Sequence, residues 1–106
     1  MDKHAIDTLF AVIESRKGAD PDTSYTAKLF AKGRKKIAQK VGEEAVETAL
    51  AAVSETPAAV AAESADLLYH LLVLWAETGV SPDDVWAELN RRSGVSGIEE
   101  KNSRKK

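Results

Sequence analysis

Carboxylates placed inside apolar helical sequence constrain this chain more than any other feature. Residues 57 to 78, PAAVAAESADLLYHLLVLWAET, are apolar around nearly the whole helical circumference, yet they include Glu63 and Asp66. A helix of that kind is expected to be buried, so both carboxylates are expected to face inward. Burying an unpaired carboxylate costs on the order of several kcal/mol, comparable to the whole stability of a small domain. The two acids therefore require a partner.

A second acidic stripe lies on the preceding helix, predicted over residues 34 to 54. Glu43, Glu44 and Glu47 share one side of this helix, with apolar residues on both flanks of the stripe. Residues 41 to 90 contain ten acidic residues and no lysine or arginine, so pairing with a basic residue of that segment is excluded. The remaining remedies are protonation of the carboxylates or binding of a cation.

The short link between the two helices predicts that they pack antiparallel. That arrangement can bring Glu44 and Glu47 opposite Glu63 and Asp66. Four carboxylates offer only oxygen ligands, which suit a hard divalent cation such as Mg²⁺, with Mn²⁺ as a substitute. The sequence therefore predicts a metal site between the helices; two exposed acidic stripes that bind no metal are the alternative.

The rest of the chain is predicted to be helical, with capping residues at the ends of the helices. Thr56 followed by Pro57, Gly79, and Ser81 followed by Pro82 mark helix boundaries. We expect an all-α protein, a helical bundle of four to five helices, with one domain over residues 1–92 and a basic, partly disordered tail over 93–106. The predicted helices cover residues 2–17, 25–32 (helical or irregular), 34–54, 57–78 and 82–92.

Composition excludes several classes of function. The net charge of −2 argues against general nucleic-acid binding, and the absence of cysteine excludes disulfides, thiolate metal sites and cysteine nucleophiles. The N-terminal residues do not form a signal peptide, and the apolar run from Leu67 to Ala76 is too short to span a membrane. We therefore expect a cytoplasmic protein with no membrane and no nucleic-acid partner.

The acidic spacing resembles a known signature. Glu43-Glu44-x-x-Glu47 followed by Glu63-x-x-Asp66 is similar to the motif of the MazG-like all-α nucleoside triphosphate pyrophosphohydrolases. The words SYTAKLFAKGRKKIAQKVGEEAVE, ESADLLYHLLVL and RSGVSGIEEKNSR resemble, within that group, the phosphoribosyl-ATP pyrophosphatase family. The resemblance extends over nearly the whole chain.

This resemblance implies an activity and a set of site residues. It implies a homodimer that hydrolyses phosphoribosyl-ATP to phosphoribosyl-AMP and pyrophosphate with Mg²⁺, in histidine biosynthesis. The implied metal ligands are Glu44, Glu47, Glu63 and Asp66, and the implied catalytic residues are Glu43, Glu44 and Glu47, with Glu44 or Glu47 as proton acceptor. Two groups of basic residues are expected to bind the substrate: Lys36 and Lys40, which precede the acids on the same helix and could reach phosphates beside the metal, and Lys101 and Arg104 of the tail, which could fold over the bound substrate.

Three other functions are compatible with parts of the pattern. A housekeeping pyrophosphohydrolase for non-standard nucleoside triphosphates would share the metal site and differ in its base pocket. A di-iron carboxylate bundle would require Glu-x-x-His pairs, whereas Asp66 occupies the third position after Glu63. A non-enzymatic interaction module would lose no activity when Glu63 or Asp66 is replaced.

Two aromatic neighbours on the fourth helix are given structural roles. His70 shares the acidic face, so a role as a further metal ligand is the alternative; we expect a core histidine, or one that donates to a carboxylate. Tyr69 is expected to pack in the core.

Overall fold

The computed structural model describes residues 4–93, and this part of the chain consists of helices with no strand. The all-α prediction is confirmed. The first helix is shorter than the predicted span of 2–17, because the chain turns after Ser15. Residues 94–106, most of the predicted tail, lie outside the described range. The helices are α1 (Ala5–Ser15), α2 (Tyr25–Lys32), α3 (Arg34–Ser54), α4 (Pro57–Thr78) and α5 (Pro82–Arg92).

The helix boundaries follow the capping residues that the sequence indicated. The Thr56 hydroxyl accepts from the Ala59 amide with Pro57 in the first turn of α4, and Gly79 ends this helix in the left-handed conformation at φ 81°. Ser81 and Asp84 form a reciprocal capping box at the start of α5. These caps satisfy amides and carbonyls that helix ends leave without partners.

Helices α3 and α4 form a long antiparallel hairpin that is the central element of the fold. The linker between them is only Glu55 and Thr56. At the opposite end, Arg34 at the start of α3 reaches Glu77 near the end of α4, with Nε 3.6 Å from Oε2 and Nη2 donating to the main-chain carbonyl at 3.2 Å. The predicted antiparallel packing is therefore confirmed.

The apolar core lies at one end of this hairpin. Helices α1 and α2 pack there against α3 and α4, and α5 packs against α1. The fully buried core residues come from four helices: Ile13, Leu29, Ile37, Leu72, Val73 and Ala76. The site described below lies near the edge of this core.

The other half of the hairpin is left uncovered by the described residues. Val46, Leu50 and Val53 follow one face of α3 and are exposed, Val53 to 81% of its surface. On α4 both Asp66 and Leu68 are exposed. The prediction that α4 is buried all round is therefore wrong for the single chain, because α1 and α2 cover only the half of the hairpin that contains the core.

Helix α4 is also long and apolar enough, by length and composition alone, to cross a membrane, with a mean hydropathy of 1.3. The central helix of a water-soluble bundle can meet the same criterion. Here the helix packs along α3 and carries two acids midway along its length, so this property is weak evidence for a membrane span.

Candidate metal centre

Three carboxylates from the two hairpin helices converge in the described part of the chain. Glu44 on α3 and Glu63 and Asp66 on α4 each offer one oxygen, and these three oxygens lie within 4.8 Å of one another. Glu63 and Asp66 meet because residues three apart share a helix face, and antiparallel packing places Glu44 opposite them. An all-oxygen donor set of this kind suits a hard cation such as Mg²⁺ or Mn²⁺, so the residues present fit the metal that the sequence predicted.

The burial of these carboxylates is less complete than the sequence predicted. Glu44 is buried, with 8% of its surface exposed, whereas Glu63 is half-buried and Asp66 is exposed. The expectation that Glu63 and Asp66 both face inward is therefore wrong for Asp66. One side of the cluster is open, which would allow a hydrated cation to enter.

The cluster holds its acids in an electrostatically unfavourable arrangement. Loss of surrounding water raises the pKa of the Glu44 carboxyl, and the neighbouring Glu47 raises it further, against the smaller opposite effects of His70 and Lys40. Desolvation also raises the pKa of Glu63, to which Glu47 and Asp66 add. A bound divalent cation would relieve this repulsion between carboxylates.

Glu47 lies beside the group of three carboxylates and remains exposed. Its carboxylate helps to raise the pKa of Glu44 and of Glu63, so it is close to the acids of both helices. In this conformation it is a neighbour of the converging oxygens of Glu44, Glu63 and Asp66.

Glu43 is held by different partners from those of the cluster. It accepts a hydrogen bond from Gln39 Nε2 at 2.7 Å and pairs with Lys40 Nζ at 3.4 Å. The Gln39 hydrogen bond, followed by that from Lys40, lowers the pKa of the Glu43 carboxyl. The lowered pKa favours the anionic form of Glu43, which pairs with Lys40.

Lys40 places a positive charge beside the carboxylates, although no basic partner was expected for them. Its Nζ is also 3.9 Å from Glu44, and the hydrogen bond with Glu43 raises the pKa of this ammonium group. Residues 41–90 contain no lysine or arginine, but Glu44 nevertheless has a basic partner, because Lys40 lies just before that segment. Lys40 was missed as its partner because it lies one position before that segment and one helical turn before Glu44.

A groove of about 720 Å³ runs along this part of α3 and is open to solvent. Lys36 lies close enough to Glu43 to contribute to its lowered pKa, so both predicted phosphate-binding lysines of α3 are near the acids. Lys101 and Arg104 lie outside the described residues. The groove is lined by Gln39, Lys40, Gly42, Glu43, Glu44, Val46 and Glu47.

His70 joins this site to α2 through a contact that the sequence did not indicate. The imidazole is 6% exposed; its Nδ1 lies 2.8 Å from the main-chain carbonyl of Asp66 and its Nε2 lies 3.2 Å from the Tyr25 hydroxyl. The expectation of a core histidine is confirmed by this burial, whereas donation to a carboxylate is not seen, because the partner of Nδ1 is a backbone oxygen one turn earlier. Tyr69 packs against the core as predicted, and its hydroxyl bonds that of Thr26.

An antiparallel helical hairpin with acids from both helices and lysines alongside is the architecture expected of the all-α, MazG-like pyrophosphohydrolases. The sequence model of the phosphoribosyl-ATP pyrophosphohydrolase family matches residues 6–93 of this chain. This chain belongs to that family.

Similar proteins from three bacteria each carry the name phosphoribosyl-ATP pyrophosphatase. That of Rhodospirillum rubrum is 68% identical over 101 residues, which span 95% of this chain and 86% of the relative. That of Paramagnetospirillum magneticum is 66% identical, over 99% of this chain and 96% of the relative. That of Azospirillum brasilense is 64% identical, over 94% of this chain and 90% of the relative. The family resemblance seen in the sequence is thereby confirmed.

Proposed function

We propose that this chain hydrolyses phosphoribosyl-ATP to phosphoribosyl-AMP and pyrophosphate, as a Mg²⁺-dependent enzyme of histidine biosynthesis in the cytoplasm. The observation that carries the proposal is the convergence of Glu44, Glu63 and Asp66 within 4.8 Å in a chain of this family. The names of the similar proteins support the substrate, and the all-oxygen donor set supports the metal.

The reaction breaks one bridging P–O bond between the α- and β-phosphates. The oxygen of a water molecule bonds to one of these two phosphorus atoms, and the other phosphate leaves with the bridging oxygen. A proton of that water passes to a carboxylate. Such reactions are accelerated mainly by positioning and by neutralisation of negative charge.

The acidic residues have two proposed roles, as metal ligands and as proton acceptor. Glu44, Glu63 and Asp66 would hold the metal, with Glu47 able to complete the set of ligands. A bound Mg²⁺ would supply positive charge to the phosphate oxygens and lower the pKa of a coordinated water. Glu47 is also our candidate for the proton acceptor, because it adjoins the three converging oxygens and is exposed to the groove.

The basic residues would neutralise the remaining charge of the substrate. Glu43 holds Lys40 beside Glu44, which places an ammonium group next to the proposed metal position. Lys36 lies one turn earlier on α3 and would bind phosphates farther from the metal. Lys101 and Arg104 are retained as proposed phosphate ligands from the tail because of the family resemblance.

We further propose that the functional unit is a homodimer formed through the uncovered half of the hairpin. Val46, Leu50 and Val53 recur at helical spacing on α3 and expose an apolar stripe to solvent. A second copy of the same hairpin would bury this stripe and complete a four-helix arrangement. The stripe adjoins the groove, because Val46 belongs to both.

The decisive test is release of pyrophosphate from phosphoribosyl-ATP with Mg²⁺, with Mn²⁺ and with a chelator. Wild-type protein should turn over only with metal, and Glu47→Gln should fold normally and lose at least about 100-fold in kcat, as expected for a general base. Asp83→Asn, which removes an exposed acid outside the cluster, should retain full activity. Activity that persists without any divalent cation would refute the metal-dependent reaction.

Substrate preference separates this reaction from the housekeeping alternative. Plain and non-standard nucleoside triphosphates should be poor substrates relative to phosphoribosyl-ATP. A kcat/KM for a non-standard triphosphate that exceeds that for phosphoribosyl-ATP would support the housekeeping function instead.

A further inference from the structure

Gln39 lines the groove along α3, although the set of predicted site residues does not include it. Its side chain is exposed, and its carboxamide Nε2 donates a hydrogen bond to Oε2 of Glu43 at 2.7 Å. The two residues are four positions apart, a spacing at which polar side chains meet on the surface of a helix. A neutral side chain is therefore in direct contact with one of the acids beside the candidate metal centre.

The carboxylate of Glu43 connects Gln39 to Lys40. Gln39 contacts Oε2 of this carboxylate, whereas Lys40 Nζ lies 3.4 Å from Oε1. Because the two oxygens belong to one planar group, a donor on Oε2 restricts the rotation that would carry Oε1 away from the lysine. Lys40 Nζ lies in turn 3.9 Å from Oε1 of Glu44, one of the three converging carboxylates. All four residues line the groove, so this series of contacts leads from Gln39 to the candidate metal centre.

The chemistry of glutamine suits this position. A lysine has a flexible four-carbon stem, and a phosphate that binds its ammonium group must restrict the conformations of that stem. Pairing with Glu43 restricts Lys40 in advance, while 25% of the Lys40 side chain stays exposed to a ligand. The carboxamide is a donor without a positive charge, so it orients Glu43 and does not neutralise the charge that attracts Lys40.

We propose that Gln39 is a positioning residue for the phosphates of the substrate. It orients the carboxylate of Glu43, and Glu43 in turn places the ammonium group of Lys40 at the edge of the candidate metal centre. This role requires no contact between Gln39 and a phosphate. The inference rests on the proposed function, which makes phosphate groups the ligands of Lys40.

Binding of pyrophosphate, a product of the proposed reaction, separates the phosphates from the rest of the substrate. Its Kd is measured by calorimetry in the presence of Mg²⁺ for wild type and Gln39→Met, because methionine has a similar length and no donor. Lys40 is then less restricted before binding and loses more conformational freedom on binding, so the Kd should rise by about two- to fivefold. Mg²⁺ alone should bind as in the wild type, since Gln39 reaches the converging carboxylates only through Glu43 and Lys40.

A double variant with Lys40→Met tests whether Gln39 acts through the lysine. Lys40→Met alone should weaken pyrophosphate binding more than Gln39→Met does, because it removes the charged donor itself. In the Lys40→Met background, Gln39→Met should cause no further loss. Equal losses with and without Lys40 would show that Gln39 acts by another route and would overturn the inference. An unchanged Kd in Gln39→Met, or a wild type that binds no pyrophosphate, would overturn it as well.

Ser54→Ala is the matched control for the loss of a neutral donor from α3. The Ser54 hydroxyl donates to the Leu50 carbonyl at the far end of this helix, outside the groove, so pyrophosphate should bind as in the wild type. If Ser54→Ala weakens binding as much as Gln39→Met, the loss reflects the stability of α3 and the inference is wrong. Weaker binding of Mg²⁺ alone in Gln39→Met would place the effect on the metal ligands, with the same consequence.

The proposed function and this inference fail in different measurements. Absence of phosphoribosyl-ATP turnover by a wild type that binds pyrophosphate would refute the proposed function. The pyrophosphate Kd values of the wild type, the two single variants and the double variant would still decide whether Gln39 positions Lys40.

Discussion

Replacement of Gly42 by alanine should stabilise the chain although Gly42 adjoins the proposed active site. Gly42 lies in the interior of α3, where alanine is favoured over glycine by about 1 kcal/mol because it loses less backbone entropy. A Cβ atom there would meet no atom within 4 Å, so the chain imposes no steric penalty. Gly42→Ala should therefore raise the free energy of unfolding by about 1 kcal/mol, which is roughly 5 °C in Tm for a domain of this size.

Gly79→Ala is the matched control with the opposite expected sign. A Cβ at Gly79 would also meet no atom within 4 Å, but the residue has φ 81° in the left-handed region. An alanine in that conformation costs about 1 kcal/mol or more. The two substitutions thus differ mainly in backbone conformation, and their free energies of unfolding should differ by about 2 kcal/mol.

Urea unfolding monitored by circular dichroism measures both variants against the wild type. Measurements over a range of protein concentrations separate a change in association from a change in the stability of the chain. A lower stability of Gly42→Ala at every concentration, or shifts of the same sign in both variants, would refute the reasoning. Lower activity in a more stable Gly42→Ala protein would indicate that substrate or a second copy approaches α3 closely at this position.

Three further outcomes are expected. Glu63→Gln should weaken the binding of Mg²⁺ measured by calorimetry and abolish turnover. Without metal near neutral pH it should raise Tm, because the raised pKa of Glu63 shows that its surroundings disfavour the charged carboxylate. A lower metal-free Tm would contradict this. Leu50→Lys should shift the protein from dimer to monomer in sedimentation equilibrium, whereas the same change at exposed Val12, on α1, should not. Arg91 and Arg92 lower the pKa of Glu88 to about 2, so the stability that this carboxylate contributes is present above its ordinary pKa of 4.5 and is lost as the pH falls toward 2. Glu88→Gln should remove this part of the acid dependence of Tm, and a pH dependence identical to that of the wild type would refute the expectation.

Helix positions and the acidic spacing could be predicted because both are local properties. A cap such as Thr56 or Ser81 acts within three residues of itself, and Pro57 and Gly79 restrict or permit backbone angles at single positions. The spacing of Glu63 and Asp66 places them on one helix face wherever the helix lies. The short link between α3 and α4 was sufficient to predict that Glu44 lies opposite them.

Burial could not be predicted in the same way, since it depends on which elements cover a helix. The apolar circumference of α4 indicated a buried helix, but the other helices cover only the half that contains Leu72 and Val73. Asp66 and Leu68 lie beyond that cover and are exposed. A sequence pattern shows which faces are apolar, whereas the covering partner can be another part of the chain or another copy.

The sequence by itself therefore determined the all-α class, the bounds of α3, α4 and α5, and a set of carboxylates at spacings that an antiparallel hairpin brings together. Only the tertiary structure decided which half of the hairpin is covered, and that Tyr25 on α2 reaches His70 on α4. The physical reason is range: helical periodicity and capping act over a few residues, whereas the Tyr25 contact spans 45 positions and forms only once α2 has docked on α4.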